Sequence, residues 1–484
     1  MTITQQEQNK KNNVLFCNYY ESREKFDLSL MIDATNSCQL RCGYCYYGNK
    51  GSQKMRVSSV LAAASNLSAI FEPKLKEVNF HYMGGEPLLA WEEILELNAT
   101  ARRSFEEKGT KFTWSLTSNL IALDERKTKH MLKEKAGIHC SIDGPAKIHD
   151  KNRPYANGKP SFADVVKNIP LALQITPDDT ARVTVLPEDA GSLPEIAETI
   201  LGLGFKVIGL FPAYNMPWDQ KAIEKWAEGI AEAHKETKKV YQHRKKISTI
   251  IKLEQRKKVI DRFTYCGAGK GLWAIGVDGK LYFCHHLTNT PEFAIINASQ
   301  NTPAAIRTAI EESILPPRCE KIPETCIDCP ARNHCNGGCW TSNLLANGDS
   351  ANPEKNECKL RVATFLSLRN SAQLILQSEH QRNCGRCYDC ENCYGGCESC
   401  QRTCESSCQS CLECQTCDDC QKTCEHSCQH CDSCQFCDSC LVCDSCQSRC
   451  ERSCQGCEKY CQGCDTGCQG GCQSCDTQQG PNSW

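Results

Sequence analysis

The stretch CQLRCGYC, residues 38–45, places three cysteines in a C-x3-C-x2-C spacing directly after a predicted strand, LSLMIDAT at residues 28–35. Three thiolates on one tight loop can bind three irons of a [4Fe–4S] cluster and leave the fourth iron without a protein ligand. An open position on a metal site is where a substrate or cofactor binds. A zinc site would lack a nearby fourth ligand. Cys38, Cys42 and Cys45 are therefore predicted to bind a cluster and to be catalytic.

Strand-like and helix-like segments alternate along residues 28–212. The other apolar strand candidates are residues 78–84, 112–119, 138–144, 181–187 and 206–212, and residues 58–71 and 91–109 have helical patterns. Strand followed by helix, repeated about six times, indicates a parallel sheet of βα units. We predict an α/β fold whose first domain is a partial (β/α)6 barrel related to the complete eightfold TIM barrel.

The cysteine loop, with Tyr44 before its last cysteine, resembles that of the radical S-adenosylmethionine (SAM) superfamily. The motif GGEP at residues 84–87 follows the second predicted strand, where that family binds the methionine amino group of SAM. The resemblance covers residues 28 to about 212. It implies that a reduced cluster cleaves SAM to a 5′-deoxyadenosyl radical, which abstracts hydrogen from the substrate. The SAM-binding residues that it implies are Tyr44, Gly84, Gly85, Glu86, Pro87, Asn119, Ser141, Asp143 and Arg153.

A second set of cysteines has the spacing Cys266-x12-Gly279-x4-Cys284, then Cys326-x2-Cys329-x5-Cys335-x3-Cys339, and finally Cys358. This pattern resembles the SPASM extension of radical SAM enzymes that modify peptides and proteins. The resemblance implies two auxiliary [4Fe–4S] clusters, hence three clusters in all. Cys326, Cys329, Cys335 and Cys358 would bind one of them. Cys266, Cys284 and Cys339 would bind the other, with Cys319 or a substrate thiolate as fourth ligand. A pair of structural zinc sites is the alternative, since C-x2-C pairs also suit zinc.

His285 and His286 directly follow Cys284. Sulfatase-maturing relatives use a carboxylate as a base at that place, and its absence argues against oxidation of serine or cysteine to formylglycine. A histidine can still take a proton, and a surface pair is the alternative interpretation. Cys140 lies in an apolar run and is predicted to be a small buried residue, whereas Cys17 fits no spacing.

The charge and composition of the chain limit the kinds of partner and the cellular location that we expect. The chain has 484 residues and a net charge of −2, so nothing in its charge favours nucleic acid or a membrane as partner. No apolar run approaches the length of a membrane span, and the polar start is unlike a signal peptide. We therefore expect a cytoplasmic protein. The predicted domains are an N-terminal segment (1–27), the barrel (28–225), a helical connector (226–265), the SPASM domain (266–358), a helical linker (359–383) and a Cys-rich tail (384–484).

The tail has 28 of the chain's 41 cysteines, all within residues 384–475, with gaps of only two or three residues. Its other residues are mostly polar, so the unmodified tail cannot form a hydrophobic core. Three interpretations compete: a metal store, a disulfide scaffold, and a substrate fused to its own modifying enzyme. Several cysteines directly precede an acidic residue, as in Cys404-Glu405 and Cys431-Asp432. This adjacency favours the third interpretation.

The architecture resembles the radical SAM maturases of clostridial Cys-rich peptides, whose products are ribosomally synthesised and then modified. The resemblance implies thioether links between cysteine sulfur and carbon, made in the chain's own tail or in a separate Cys-rich precursor peptide. Epimerisation and carbon–carbon crosslinking remain open, since both begin with the same hydrogen abstraction. It also implies an electron donor such as flavodoxin or ferredoxin. The alternative function is modification of another peptide or protein, with the tail as a metal-binding module.

Overall fold

Strand β1 (Phe26–Thr35) leads into the cysteine loop and starts a parallel sheet. Strands β2 (Leu75–Gly84), β3 (Lys111–Ser118) and β4 (Gly137–Cys140) follow side by side in chain order. A parallel bridge between Ser141 and Arg182 joins this sheet to β5 (Thr180–Val185), which pairs with β6 (Val207–Pro212). The computed structural model describes residues 25–48, 50–72, 74–241, 246–249, 266–313 and 322–384. The predicted α/β class, with its six strands at the predicted places, is confirmed.

Helices connect successive strands. Helix α1 has its buried residues Val60, Ala63, Ala64 and Leu67 at the spacing that gives one apolar face. That face packs against the sheet, whose β1 residues Leu28, Leu30 and Ile32 are fully buried in the same core. The connecting helices are α1 (Val57–Ala69), α2 (Trp91–Glu106), α3 (Glu125–Glu134), α4 (Ala146–Asn152), α5 (Phe162–Ile175), α6 (Leu193–Gly202) and α7 (Gln220–Tyr241).

The two faces of β2 differ in polarity because successive side chains point to opposite sides of a strand. Phe80 is fully buried, and its ring lies 6.1 Å from that of Phe105 on α2 and 5.0 Å from that of Phe112. On the opposite face, His81 forms hydrogen bonds with Ser115 (2.8 Å) and Thr117 (2.9 Å) of β3. The helix-covered outside is therefore apolar, and the inner side of the barrel carries polar groups.

The prediction that the connector at 226–265 is helical is wrong in one part. Helix α7 ends at Tyr241, and Lys246–Thr249 form strand β7, which pairs in parallel with β6. The segment KIST is rich in residues that favour strands, and the open edge of β6 offers backbone groups that need partners. Residues 242–245 and 250–265, with much of the basic run at 238–258, lie outside the described residues.

The cysteine-rich region after residue 266 shares the sheet of the barrel. Strand β8 (Leu272–Ile275) pairs in parallel with β1, on the side opposite β2. Strands β9 (Lys280–Tyr282) and β10 (Ile296–Asn297) extend this edge in antiparallel pairs. Cys284 is therefore positioned by a strand arrangement that continues the barrel itself.

The remaining described residues are mainly helical. The helices are α8 (Pro303–Glu312), α9 (Glu324–Ile327), α10 (Arg332–Cys335), α11 (Trp340–Asn347) and α12 (Lys355–Cys384). Helix α12 includes the predicted helical linker, residues 359–383. Among the described residues, no helix has both the length and the apolarity that crossing a bilayer requires. Cys17, Cys319 and tail residues 385–484 lie outside the described residues.

A buried hydrogen bond links α7 to α12, and we predict that losing it destabilises the fold. Trp226 Nε1 donates to Thr364 Oγ1 at 2.8 Å, and both residues are fully buried. Thr364→Val leaves the indole N–H without a partner, which should lower the free energy of unfolding by about 1–3 kcal/mol. Thermal denaturation measures the change.

The control is Thr308→Val on α8. Thr308 bonds to the carbonyl four residues earlier, as Thr364 does, but it is exposed. An equal effect of the two substitutions would contradict the importance of the Trp226 contact.

Candidate functional site

The predicted cluster loop begins where β1 ends and is held by backbone hydrogen bonds. Cys45 N donates to Cys42 O at 3.1 Å, and Arg41 N donates to Pro154 O at 2.8 Å. Cys38, Cys42 and Cys45 are partly exposed and free of disulfides. The pKa of the Cys42 thiol is raised to about 11, mainly by burial, and the neighbouring Cys45 and Cys38 contribute to this rise. The three thiols thus lie close enough to interact, and coordination to iron would remove their protons.

The three thiols of the loop match the ligand set of an iron–sulfur cluster, in which each ligated iron takes its own thiolate. Lys50 Nζ lies 3.0 Å from Cys45 Sγ and supplies a positive charge beside one of these thiols.

The GGEP motif holds the cluster loop through its backbone. Gly85 N donates to Thr35 O at 2.7 Å, and Glu86 N donates to Ser37 O at 2.8 Å. The chains are so close that a Cβ on Gly85 would lie 2.1 Å from Ser37 O. Gly84 has a φ of +101°, which glycine adopts without strain. Pro87 then starts a short 3-10 turn, Pro87–Ala90. The motif therefore fixes the backbone position of Ser37, which directly precedes Cys38.

Glu86 joins the ends of β2 and β3. Its buried carboxylate accepts hydrogen bonds from Ser118 Oγ (2.7 Å), Asn119 N (2.8 Å) and Leu88 N (3.1 Å). Burial raises its pKa to about 7, while these donors lower it. Asn119 Nδ2 also lies 3.8 Å from Cys38 Sγ. The residues predicted on β2 and β3 are thus in contact with the cluster loop.

Tyr44, Asp143 and Arg153 form a second support. Arg153 Nε lies 2.9 Å from Asp143 Oδ2, and Tyr44 OH donates to the same oxygen at 2.5 Å. The Arg153 guanidinium covers the Tyr44 ring at 5.3 Å. Ser141, also predicted here, donates its N–H to Ser118 O at 2.9 Å. The structure therefore brings together the predicted residues of β4, α4 and the loop.

The two predicted auxiliary sites are separate groups of thiols. One pocket is lined by all four cysteines predicted for one cluster: Cys326, Cys329, Cys335 and Cys358. In the other group, the pKa of Cys284 is raised to about 12, mainly by burial, and the nearby Cys339 and Cys266 contribute to this rise. Cys319, the predicted fourth ligand, lies outside the described residues.

Glu357 connects these two groups. Its Oε1 accepts a hydrogen bond from Cys339 N at 2.8 Å and another from Arg361 Nε at 2.6 Å. Glu357 is buried and directly precedes Cys358. One carboxylate therefore fixes the position of a cysteine from each predicted ligand set.

Four residues inside the barrel form an interior cluster that the sequence analysis did not assemble: His81, His139, Arg182 and His285. The rings of His81 and His139 lie 5.5 Å apart. Burial lowers the pKa of His81 to about 3, with smaller contributions from His139 and Arg182. Burial also lowers the pKa of His285, as do His81 and Arg182. Three of these residues could have been found in the sequence, because side chains alternate between the two faces of a strand. His81 on β2, His139 on β4 and Arg182 on β5 are at inward-pointing positions.

His285 and His286 are not a surface pair. Both are partly buried, and the His286 ring stacks on Tyr46 at 4.7 Å, while the His285 ring meets the same tyrosine edge-on at 5.3 Å. Tyr46 directly follows Cys45, so His285 lies between the cluster loop and the interior cluster. Cys140 is fully buried, which confirms the prediction for it.

The sequence profile of the Radical SAM superfamily matches residues 32–200, which include the cysteine loop and the first βα units. This part of the chain is a radical SAM domain, as predicted. A cysteine-type anaerobic sulfatase-maturating enzyme of Clostridium perfringens is 32% identical over 143 residues, or 28% of this chain and 39% of that enzyme. A serine-type anaerobic sulfatase-maturating enzyme of Klebsiella aerogenes is 23% identical over 329 residues, covering 64% and 78% of the two chains.

Solved structures show the same fold. A structure of anSMEcpe with bound AdoMet and the Kp18Cys peptide superimposes with a TM-score of 0.60 at 21% identity, covering 72% of this chain and 99% of that one. Streptococcus suis SuiB bound to S-adenosylmethionine gives a TM-score of 0.50 at 12% identity, covering 72% and 81%. These likenesses confirm the predicted fold class, an α/β fold with a partial barrel.

Adding one methyl group at Gly85 should disrupt the cluster loop. Gly85→Ala places Cβ against Ser37 O, so the loop must shift, and strain of this kind costs about 1–3 kcal/mol. We expect less iron and sulfide per chain after anaerobic reconstitution, measured by chemical analysis and visible absorbance.

The matched control is Gly43→Ala within the same loop, where a Cβ meets nothing within 4 Å. Normal iron content in the Gly85 variant would show that this backbone contact does not position the cysteines.

Proposed function

We propose that this chain is a radical SAM peptide maturase that forms thioether links between cysteine sulfur and carbon within its own Cys-rich tail. The observation that carries the proposal is that two features occur in one chain. The first is a three-cysteine loop, held by backbone hydrogen bonds at the barrel edge beside a polar interior. The second is a set of 28 further cysteines at residues 384–475. The relatives named above support an action on proteins or peptides.

The chain's own residues fit the cofactors that this activity requires. Cys38, Cys42 and Cys45 would hold one [4Fe–4S] cluster, and the GGEP backbone with Asn119 would position SAM beside it. When bound, these groups supply a radical that removes a hydrogen atom from carbon. Two further clusters would be held by the thiols of the auxiliary sites, making three. An electron donor such as flavodoxin or ferredoxin would supply the reducing electron.

His139 is the proposed acceptor of the thiol proton. Its Nδ1 lies 2.7 Å from Asp179 Oδ1, and Asp179 Oδ2 accepts a hydrogen bond from Cys140 N at 2.9 Å. A neutral His139 that donates from Nδ1 has its Nε2 lone pair free to take a proton. The side chain is 27% exposed, so a substrate can reach it.

The proposed reaction balances as follows. A carbon of the substrate loses a hydrogen atom, which ends in 5′-deoxyadenosine. The cysteine thiol gives its proton to His139, and a sulfur–carbon bond forms. The one electron left over would be taken up by an iron–sulfur cluster held at the auxiliary sites. Each link therefore lowers the mass of the peptide by two hydrogen atoms.

The tether makes the tail an accessible substrate. Fully extended, its cysteine-containing part could span on the order of 300 Å, at about 3.3 Å per residue, so reach does not limit it. Attachment also raises the local substrate concentration to roughly millimolar.

Anaerobic incubation of the full chain with SAM and a strong reductant should produce the links. We expect proteolytic fragments from residues 384–484 to lose two hydrogens per link in mass spectrometry, together with release of 5′-deoxyadenosine. A chain incubated without SAM is the control. Active SAM cleavage with an unchanged tail mass would reject the tail as substrate.

Replacing His139, the proposed proton acceptor, should uncouple the cleavage of SAM from the modification of the tail. Proton transfer by a positioned side chain contributes about 10²–10⁴-fold, so His139→Gln should slow tail modification at least tenfold. Uncoupled formation of 5′-deoxyadenosine should persist, and Asp179→Asn should give the same uncoupling. Chromatography gives the ratio of modified tail to 5′-deoxyadenosine.

His130→Gln on helix α3 is the control, since His130 packs against Trp91 on the outside of the barrel. An unchanged product ratio in the His139 variant would remove this residue from the mechanism.

A second candidate function is modification of a separate peptide, with the tail as a metal-binding module. It is favoured by the solved relative that carries a separate Kp18Cys peptide. Iron, sulfide and zinc analysis of the chain ending at residue 383 separates the two functions. Loss of tail-bound zinc alone, with retained activity on another peptide, would support this second function.

A further inference from the structure

Arg182 is a cation on the inner face of β5. On β5, Ala181, Val183 and Val185 are buried, whereas Arg182 and Thr184 point to the other face. Its buried Nε has no hydrogen-bond partner, and within the described residues its guanidinium makes no ion pair. Arg153, by contrast, is paired with Asp143.

Within the described residues, the groups around Arg182 leave it without an ion-pair partner. Burial lowers the pKa of His81 to about 3, so this ring carries no charge at physiological pH. Both ring nitrogens of His81 already bond to Ser115 and Thr117. The carboxylate of Asp179 raises the pKa of Arg182 but forms no ion pair with it, since its two oxygens are bonded to His139 and to Cys140 N. Burial lowers the pKa of Arg182 itself, so an incoming anion would relieve the cost of keeping this charge inside the protein.

In the tail sequence, an acidic residue recurs at one position, directly after a cysteine. An acidic residue directly follows 12 of the 28 tail cysteines, and glutamine directly follows 11. The two types mostly alternate along the tail, as in Cys417-Asp418, Cys420-Gln421, Cys424-Glu425 and Cys428-Gln429. No lysine or arginine directly follows a cysteine there. Glutamate, which follows six of these twelve cysteines, has nearly the same shape as glutamine, so charge is what distinguishes Cys-Glu from Cys-Gln sites.

We propose that Arg182 binds the carboxylate of the acidic residue that follows the reacting cysteine, and so selects Cys-Asp and Cys-Glu sites over Cys-Gln sites. A guanidinium binds a carboxylate through two parallel hydrogen bonds, which fixes orientation as well as position. His139 lies in the same interior cluster, so the bound residue would bring its neighbouring thiol towards the proton acceptor. This inference rests on the proposed function for its substrate, but the binding step can be measured separately.

The binding test uses two capped peptides, KTCEHSC (residues 422–428) and the same peptide with glutamine in place of glutamate. Calorimetry with the full chain, under anaerobic reducing conditions, should show at least tenfold tighter binding of the glutamate peptide. A hydrogen-bonded charge pair accounts for a preference of this size. In Arg182→Gln the two peptides should bind equally, and Arg182→Lys should retain part of the preference.

Arg126→Gln is the control, since Arg126 forms an exposed ion pair with Glu92 on the outer surface. Equal binding of both peptides to the unaltered chain would overturn the proposal.

SAM also has a carboxylate that Arg182 could bind, so SAM binding is measured in the same variants. Loss of SAM binding in Arg182→Gln would assign the arginine to SAM and also overturn the proposal.

Mapping the modified positions extends the test to the reaction. Links should form at Cys-Asp and Cys-Glu sites, and Glu425→Gln should remove the link at that site alone. Links distributed equally over Cys-Gln sites would contradict selection by charge. Tighter binding of the glutamate peptide without any change in tail mass would support the carboxylate site and reject the thioether reaction. Failure of the carboxylate site and failure of the proposed function are therefore distinguishable.

Discussion

The backbone contact between the GGEP motif and the end of β1 is the constraint on which the candidate site depends. Two short hydrogen bonds, Gly85 N to Thr35 O and Glu86 N to Ser37 O, fix the chain directly before Cys38. The contact is possible only because residue 85 has no side chain. Glu86 then carries the same constraint to β3 through Ser118 and Asn119. The ends of three strands are thereby held together around one loop.

Much of this arrangement could be predicted from the sequence, because short-range spacing and strand alternation encode it. The C-x3-C-x2-C loop, the GGEP motif and the six strands all appear where the pattern indicated. The four cysteines predicted to share one auxiliary site do line one pocket. Their intervals are short, so local chain geometry limits where they can go.

Other parts depend on pairings between distant segments, which a single sequence does not show. Strand β7 was expected to be helical, because a charged run resembles a solvated helix until a neighbouring strand offers its edge. The interior cluster was missed for the same reason. His81, His139 and Arg182 are separate inward positions on three strands, and His285 reaches them only because β8 pairs with β1.

The pairing of β8 with β1 also has a consequence for the order of assembly. Ser29 pairs with Leu272, so the partners are about 240 residues apart in the chain. Contacts between such distant residues form late, since the loop between them must close first. During translation, the edge of β1 next to the cysteine loop therefore has no partner until residue 275 has left the ribosome. The half-built barrel has an open flank throughout this interval, and the cysteine-rich tail is made only after that flank can close.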